Sequence, residues 1–143
     1  MRCVDVNVLV YAHRPESPNH QAYREWLEAA RRGPEPLALI PVVLSGFLRV
    51  VTHPRIFKEP TPLDVGVGYL DALRQSPAAV GVMPGERHWG IFTDLCRRLN
   101  ATGNTVPDLF LAAIAIEQGA GWVSADRRFA GVPGLRWVDP LGS

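Results

Sequence analysis

At 143 residues, 47% hydrophobic and 20% charged, the chain is long enough for one domain with a full core and short for two; its composition excludes a wholly disordered polypeptide. No apolar run approaches the roughly 18 residues of a membrane span, and Asp5 interrupts the N-terminal apolar run where a secretory signal needs continuity, so a cytoplasmic protein with no membrane association is expected. The net charge of +1 leaves no bulk electrostatic footprint of nucleic-acid binding, only room for local patches.

The stretch "RCVDVNVLVYA" starts as a short apolar strand ending near Asp5, and its continuation reads equally as strand or helix. "SPNHQAYREWLEAARRG" predicts a helix capped by Ser17 or Asn19, with Tyr23, Trp26, Leu27 and Ala30 on one face. After the connector "GPEP", the run "LALIPVV" reads as a buried strand leading into a helix on which Leu44, Phe47, Leu48 and Val51 recur until Pro54 stops it. "RIFKEPTP" is a loop, and "PLDVGVGYLDALRQS" is a helix weakened by Gly66 and Gly68.

"AAVGVM" is a short strand, followed by a helix over "GERHWGIFTDLCRRLNATG" with Trp89, Phe92, Leu95, Cys96 and Leu99 as its apolar stripe. "TVPDLFLAAIAIEQGAG" is the strongest helix of the chain, with Pro107 near its first turn and Gly119 at its end. "WVSAD" is a strand, "RRFAGVPG" a turn-rich link and "LRWVDP" a final strand. Short apolar strands alternating with helices predict an α/β domain, residues 1–143, around a mostly parallel sheet.

Two cysteines, Cys3 and Cys96, are too few for a disulfide framework and lack paired zinc-site spacing. The four histidines show no metal-binding arrangement. Chemistry is carried instead by acids. Asp is expensive to desolvate without compensation, yet Asp5 stands inside an apolar segment and Asp126 follows "WVSA", each at the carboxyl end of a predicted strand. Asp108 lies in the first turn of its helix.

Taken singly, Asp5 is a helix cap, Asp108 an acid favoured by the helix dipole, and Asp126 the head of an Asx-turn. Open α/β sheets, however, bind ligands beyond the carboxyl ends of their strands. Three acids converging there would repel one another, and a divalent cation relieves that repulsion; hard oxygen donors suit Mg²⁺ or Mn²⁺. Such a site could stabilise charge developing during phosphodiester cleavage.

The pieces "CVDVNVLVYAHR", "FLRVVTHPRIF", "GNTVPDLFLAAIAIEQGA" and "WVSADRRFAGVPGLRWVDPL", in this order and spacing, cover nearly the whole chain. In them the sequence resembles PIN-domain proteins, most closely the VapC-type ribonuclease toxins of bacterial type II toxin–antitoxin pairs. The resemblance implies a three-layer α/β/α sandwich and a metal-dependent endoribonuclease that cleaves RNA phosphodiester bonds with a metal-activated water. It implies Asp5, Asp108 and Asp126 as catalytic and metal-binding acids, with Asn7 and Ser124 supporting them. It further implies Mg²⁺ or Mn²⁺ as cofactor, a cognate VapB-type antitoxin and a homodimer.

Arg49 and Arg127, with Arg55 and Arg128, are candidate contacts to the RNA backbone, and Trp26 or Tyr69 could receive an antitoxin peptide if they are not core residues. One departure from the family pattern stands out. Many members carry a Glu in the helix after the second strand; here Leu44, Ser45 and Gly46 precede Arg49, and no acid occurs from Leu37 through Lys58. Glu59, Asp94 or Glu117 could substitute, and the missing ligand implies modest metal affinity and a single ion. The alternative is a catalytically degenerate PIN-fold module that binds RNA or protein. A phosphotransfer receiver is disfavoured because the one lysine, Lys58, falls in a middle loop, and an aspartyl phosphatase because Asn7 replaces the second acid of a D-x-D pair.

Overall fold

Five strands, β1 (Arg2–Val4), β2 (Leu37–Leu39), β3 (Ala79–Gly81), β4 (Gly121–Val123) and β5 (Arg136–Val138), form one sheet in the order β3-β2-β1-β4-β5. All four pairings are parallel, with Cys3 opposite Ala38 on one side and Trp122 on the other. These relations come from a computed structural model that describes residues 1–142. Burial follows position: β2 and β4, flanking β1, are buried throughout, whereas the edge strands β3 and β5 are partly exposed.

The helices are α1 (Val6–His13), α2 (His20–Ala30), α3 (Pro41–Val51), α4 (Leu63–Arg74), α5 (His88–Arg98) and α6 (Thr105–Gln118). Contacts link α1 with α2 and α3, α3 with α4, and α5 with α6. Parallel crossovers are right-handed. The chain steps from β1 to β2 and β3 in one direction, then returns past β1 to β4 and β5. The return crossover, through α5 and α6, therefore lies on the face opposite α1 to α4, giving the expected α/β/α layers. None of the helices is long and apolar enough to cross a membrane among the described residues.

The ambiguous segment after Asp5 is helical although six of its eight residues, all but Leu9 and Ala12, are poor helix formers. Tertiary burial overrides propensity: Val8, Leu9, Val10 and Ala12 pack into the core. The predicted strand "LALIPVV" ends at Leu39, because Pro41 supplies the first residue of α3, where its fixed φ suits a helix start and its missing N–H costs nothing. β4 likewise stops at Val123, leaving Asp126 beyond the strand as the cap of a short 3₁₀ turn, Arg127–Gly131. Asn19 occupies the cap position of α2 in a left-handed conformation without a side-chain bond. Of the predicted stripe on α5, Leu95 is buried and Phe92 and Cys96 pack against the core, but Trp89 is 67% exposed and His88 is buried instead, bonded to the Phe110 carbonyl on α6 at 2.8 Å. Gly119 ends α6 with φ of 62°, a conformation that favours glycine.

Candidate active site

The sheet order reverses between β1 and β4, and this switch point is where an open α/β sheet leaves a crevice at its carboxyl edge. Asp5 emerges from β1 there, and its backbone N–H extends the ladder to the Val123 carbonyl at 2.9 Å. Its side chain caps α1, accepting from the Val6 N–H at 2.7 Å. The cap reading and the site reading thus describe the same carboxylate.

A network across the switch point fixes it. The Ser124 hydroxyl donates to Asp5 Oδ2 at 2.6 Å. The Asn7 amide donates to Ser124 Oγ at 3.1 Å and, more weakly, to Asp5 Oδ2 at 3.4 Å. Asn7 Oδ1 accepts from the Ala125 N–H, and Ser124 Oγ accepts from the Asp126 N–H, both at 3.1 Å. Trp137 Nε1 holds the Ser124 carbonyl at 3.0 Å. Asn7 and Ser124 therefore tie the start of α1 to the segment after β4.

The remaining acids lie within Coulombic reach. Burial raises the pKa of Asp5, with Asp108 and Asp126 adding like charge. Asp108, in the first turn of α6, is raised by partial burial and by Asp126, opposed by the Arg128 guanidinium. Asp126 is lowered, chiefly by hydrogen bonds from Arg128. That guanidinium donates to Asp126 through Nε at 3.1 Å and Nη2 at 2.6 Å, and its Nη2 stands 3.9 Å from Asp108 Oδ2. Arg127 is exposed, and none of these contacts involve it; Arg49 is exposed in the last turn of α3. Of the arginines named as RNA-backbone candidates, Arg128 is the one that engages the carboxylates.

None of the three proposed substitutes for the missing Glu joins this cluster through a hydrogen bond or ion pair. Glu117 accepts from the Gly85 and Arg87 N–H groups at 2.7 and 2.9 Å, capping the approach to α5. Asp94 pairs with Arg98 one turn away. Glu59 contributes its carbonyl to Arg14. At Gly46, a Cβ would stand 2.9 Å from Val6 Cγ2, so α3 approaches the start of α1 too closely for a side chain without a shift. Trp26 lies beneath the Arg2 guanidinium, and Tyr69 stacks on Phe47 and beside His13, its hydroxyl pushed up to about 12 by burial. Both are packing residues.

The donor set suits a hard cation. Among the described residues, no group of three or more His, Cys, Asp or Glu is drawn together as a ready cage. Yet the acids already attract positive charge: the Arg128 guanidinium acts as a stand-in cation across Asp126 and Asp108.

A PIN domain family profile matches residues 2–135. Ribonuclease VapC43 of Mycobacterium tuberculosis is 50% identical over 99% of this chain and 96% of its own length, and Ribonuclease VapC25 of the same species is 36% identical over 98% and 99%. The solved VapBC2 of Rickettsia felis, bound to a DNA fragment from its promoter, aligns with a TM-score of 0.72 at 19% identity, covering 96% of each chain. M. tuberculosis VapC20, described as a sarcin–ricin loop cleaving toxin, aligns at 0.62 and 16% identity over 95% and 99%. The chain therefore belongs to the PIN domain family and, within it, to the VapC group.

Proposed function

We propose that the protein is a divalent-metal-dependent endoribonuclease, the toxin of a VapBC-type pair whose VapB-type antitoxin restrains it, and that it acts as a homodimer. The observation that supports this reading is that Asp108 and Asp126 act on Asp5 as like charges at the sheet switch point, with Asn7 and Ser124 orienting Asp5. Relatives along almost the full length are named ribonucleases, which supports RNA as the substrate.

When bound, Mg²⁺ or Mn²⁺ supplies an activated water and offsets charge on the phosphate. Asp5 and Asp108 are the residues that would hold it, with Asp126 ligating directly or through water. Ser124 keeps one Asp5 oxygen in a fixed direction, and the Val6 N–H keeps the other. Such partners sustain the orientation of a ligand carboxylate. Hydrolysis there would join the water oxygen to phosphorus and break the bond to the leaving sugar oxygen, which takes up a proton.

A second reading is favoured by one feature: the acid-free stretch from Leu37 through Lys58 fits a PIN-fold module that binds RNA or protein without cutting it. Incubation of the protein with single-stranded RNA and Mg²⁺ or Mn²⁺ separates the two. Cleavage that requires the metal and stops with chelator is the expected result. RNA bound but uncut in both metals would establish the binding module instead.

A further inference from the structure

We propose that Arg128 is a built-in competitor for the metal: its guanidinium closes the carboxylate edge, and a divalent cation must displace it to bind. The inference rests on the reading of Asp5, Asp108 and Asp126 as a cation site. It goes beyond that reading by assigning a role to a residue outside the acid set.

The geometry is specific. A guanidinium is planar and presents its donors in a fork matched to a carboxylate. Arg128 uses Nε and Nη2 on Asp126, and the same Nη2 faces Asp108 at 3.9 Å. The backbone N–H of Arg128 also donates to Asp126 Oδ1 at 3.0 Å, so the two residues are bound locally by the 3₁₀ turn. Each Asp126 oxygen is thus directed toward Arg128. A metal ligated by Asp126 competes for the same lone pairs, and one bridging Asp108 and Asp126 competes for the same position between charges.

The contact is displaceable because the Arg128 side chain is 78% exposed, which keeps its attachment weak. It also has somewhere to go. A cavity of about 190 Å³ is lined by Arg128 and Asp108 together with Leu109, Phe129 and Val132. Displaced toward that side, the guanidinium remains beside the site as a cation able to meet a phosphate. Arg127, carrying the same charge one residue earlier, has no such contact with the acids and provides the internal control.

Isothermal titration of Mn²⁺ into the metal-free protein at neutral pH and low ionic strength tests the proposal. Arg128→Gln is expected to bind Mn²⁺ about three- to tenfold more tightly than the parent. Arg128→Lys, a cation without the fork, should fall between, and Arg127→Gln should stay within about twofold of the parent. Thermal melts verify that each exposed substitution leaves the fold intact. Equal affinity for Arg128→Gln and the parent overturns the proposal, as does weaker binding or an equal gain from Arg127→Gln. No Mn²⁺ binding to either protein overturns it together with the cation site. A tighter Arg128→Gln in a protein that cuts no RNA upholds it while removing the ribonuclease reading.

Discussion

Asp5→Asn is expected to lower RNA cleavage by more than about a hundredfold while leaving the protein folded. Loss of an outer partner of a metal ligand costs about 10–100-fold, and Asp5 is proposed here as a ligand itself. Every contact around it has the form of a support: Ser124, Asn7 and the Val6 N–H aim its two oxygens, and nothing else in the network carries charge. The amide keeps the shape and its oxygen can still accept from Val6, but it carries no anionic oxygen and turns the other position into a donor.

The fold should survive because an ionised Asp5 is not a stabilising charge in the metal-free protein. Burial, followed by the like charges of Asp108 and Asp126, holds its pKa above the ordinary carboxylate value. Folding therefore favours the protonated form. The stability attributable to Asp5 declines as pH rises from the unfolded pKa through the raised folded one, and stays at its lowest above that window. At neutral pH the neutral amide removes that penalty, which offsets damage to the Ser124 bond. Cleavage at the parental rate by a folded Asp5→Asn would remove Asp5 from the chemistry.

Trp122→Ala is the substitution expected to cost most stability, about 3–5 kcal/mol, which lowers the melting temperature by about 10 °C. Trp122 has no exposed surface, lies on β4 between Cys3 on β1 and Trp137 on β5, and packs edge-on against Phe129 with ring centroids 5.5 Å apart. Its removal leaves a cavity in the strand that delivers Ser124 and Asp126. Its indole Nε1 has no hydrogen-bond partner, so Trp122→Phe, which deletes that buried donor and keeps a ring, should lose much less. Chemical denaturation of both variants measures the contrast. Equal losses would show that ring packing is not what Trp122 contributes.

The sequence carried the acid-bearing edge of the sheet more clearly than the elements around it. Asp5 and Asp126 were legible because a carboxylate at the end of an apolar strand needs a reason, and Asp108 because it opens the most regular helix. The path of the backbone after Asp5 was not legible: valines at alternate positions suit a strand, and only packing against α2 and α3 makes them a helix. The end of β2 was obscured by the apolar residues on both sides of Pro41, although the proline marked it. His88 was missed because a lone histidine beside Trp89 carries no periodic signal, and the larger ring took the first place in the stripe.

Arg128 was less legible still. Arg127 and Arg128 are equivalent as adjacent letters, and what separates them is the 3₁₀ turn that returns the second guanidinium to Asp126. The signal available was the spacing itself, since an Asp capping a turn receives the N–H two residues later and brings that residue's side chain close. Within the stretch that lacks the Glu, one position is spatially constrained. Gly46 meets Val6 so closely that the face of α3 nearest the start of α1 is spent on packing.

The central claim is that Asp5, Asp108 and Asp126 form one divalent-cation site. Anomalous diffraction from crystals equilibrated with Mn²⁺ tests it directly. A single Mn²⁺ peak bounded by these three carboxylates, with Ser124 still bonded to Asp5, is the expected result; no peak at the switch point, or an ion held there without Asp5, would contradict it.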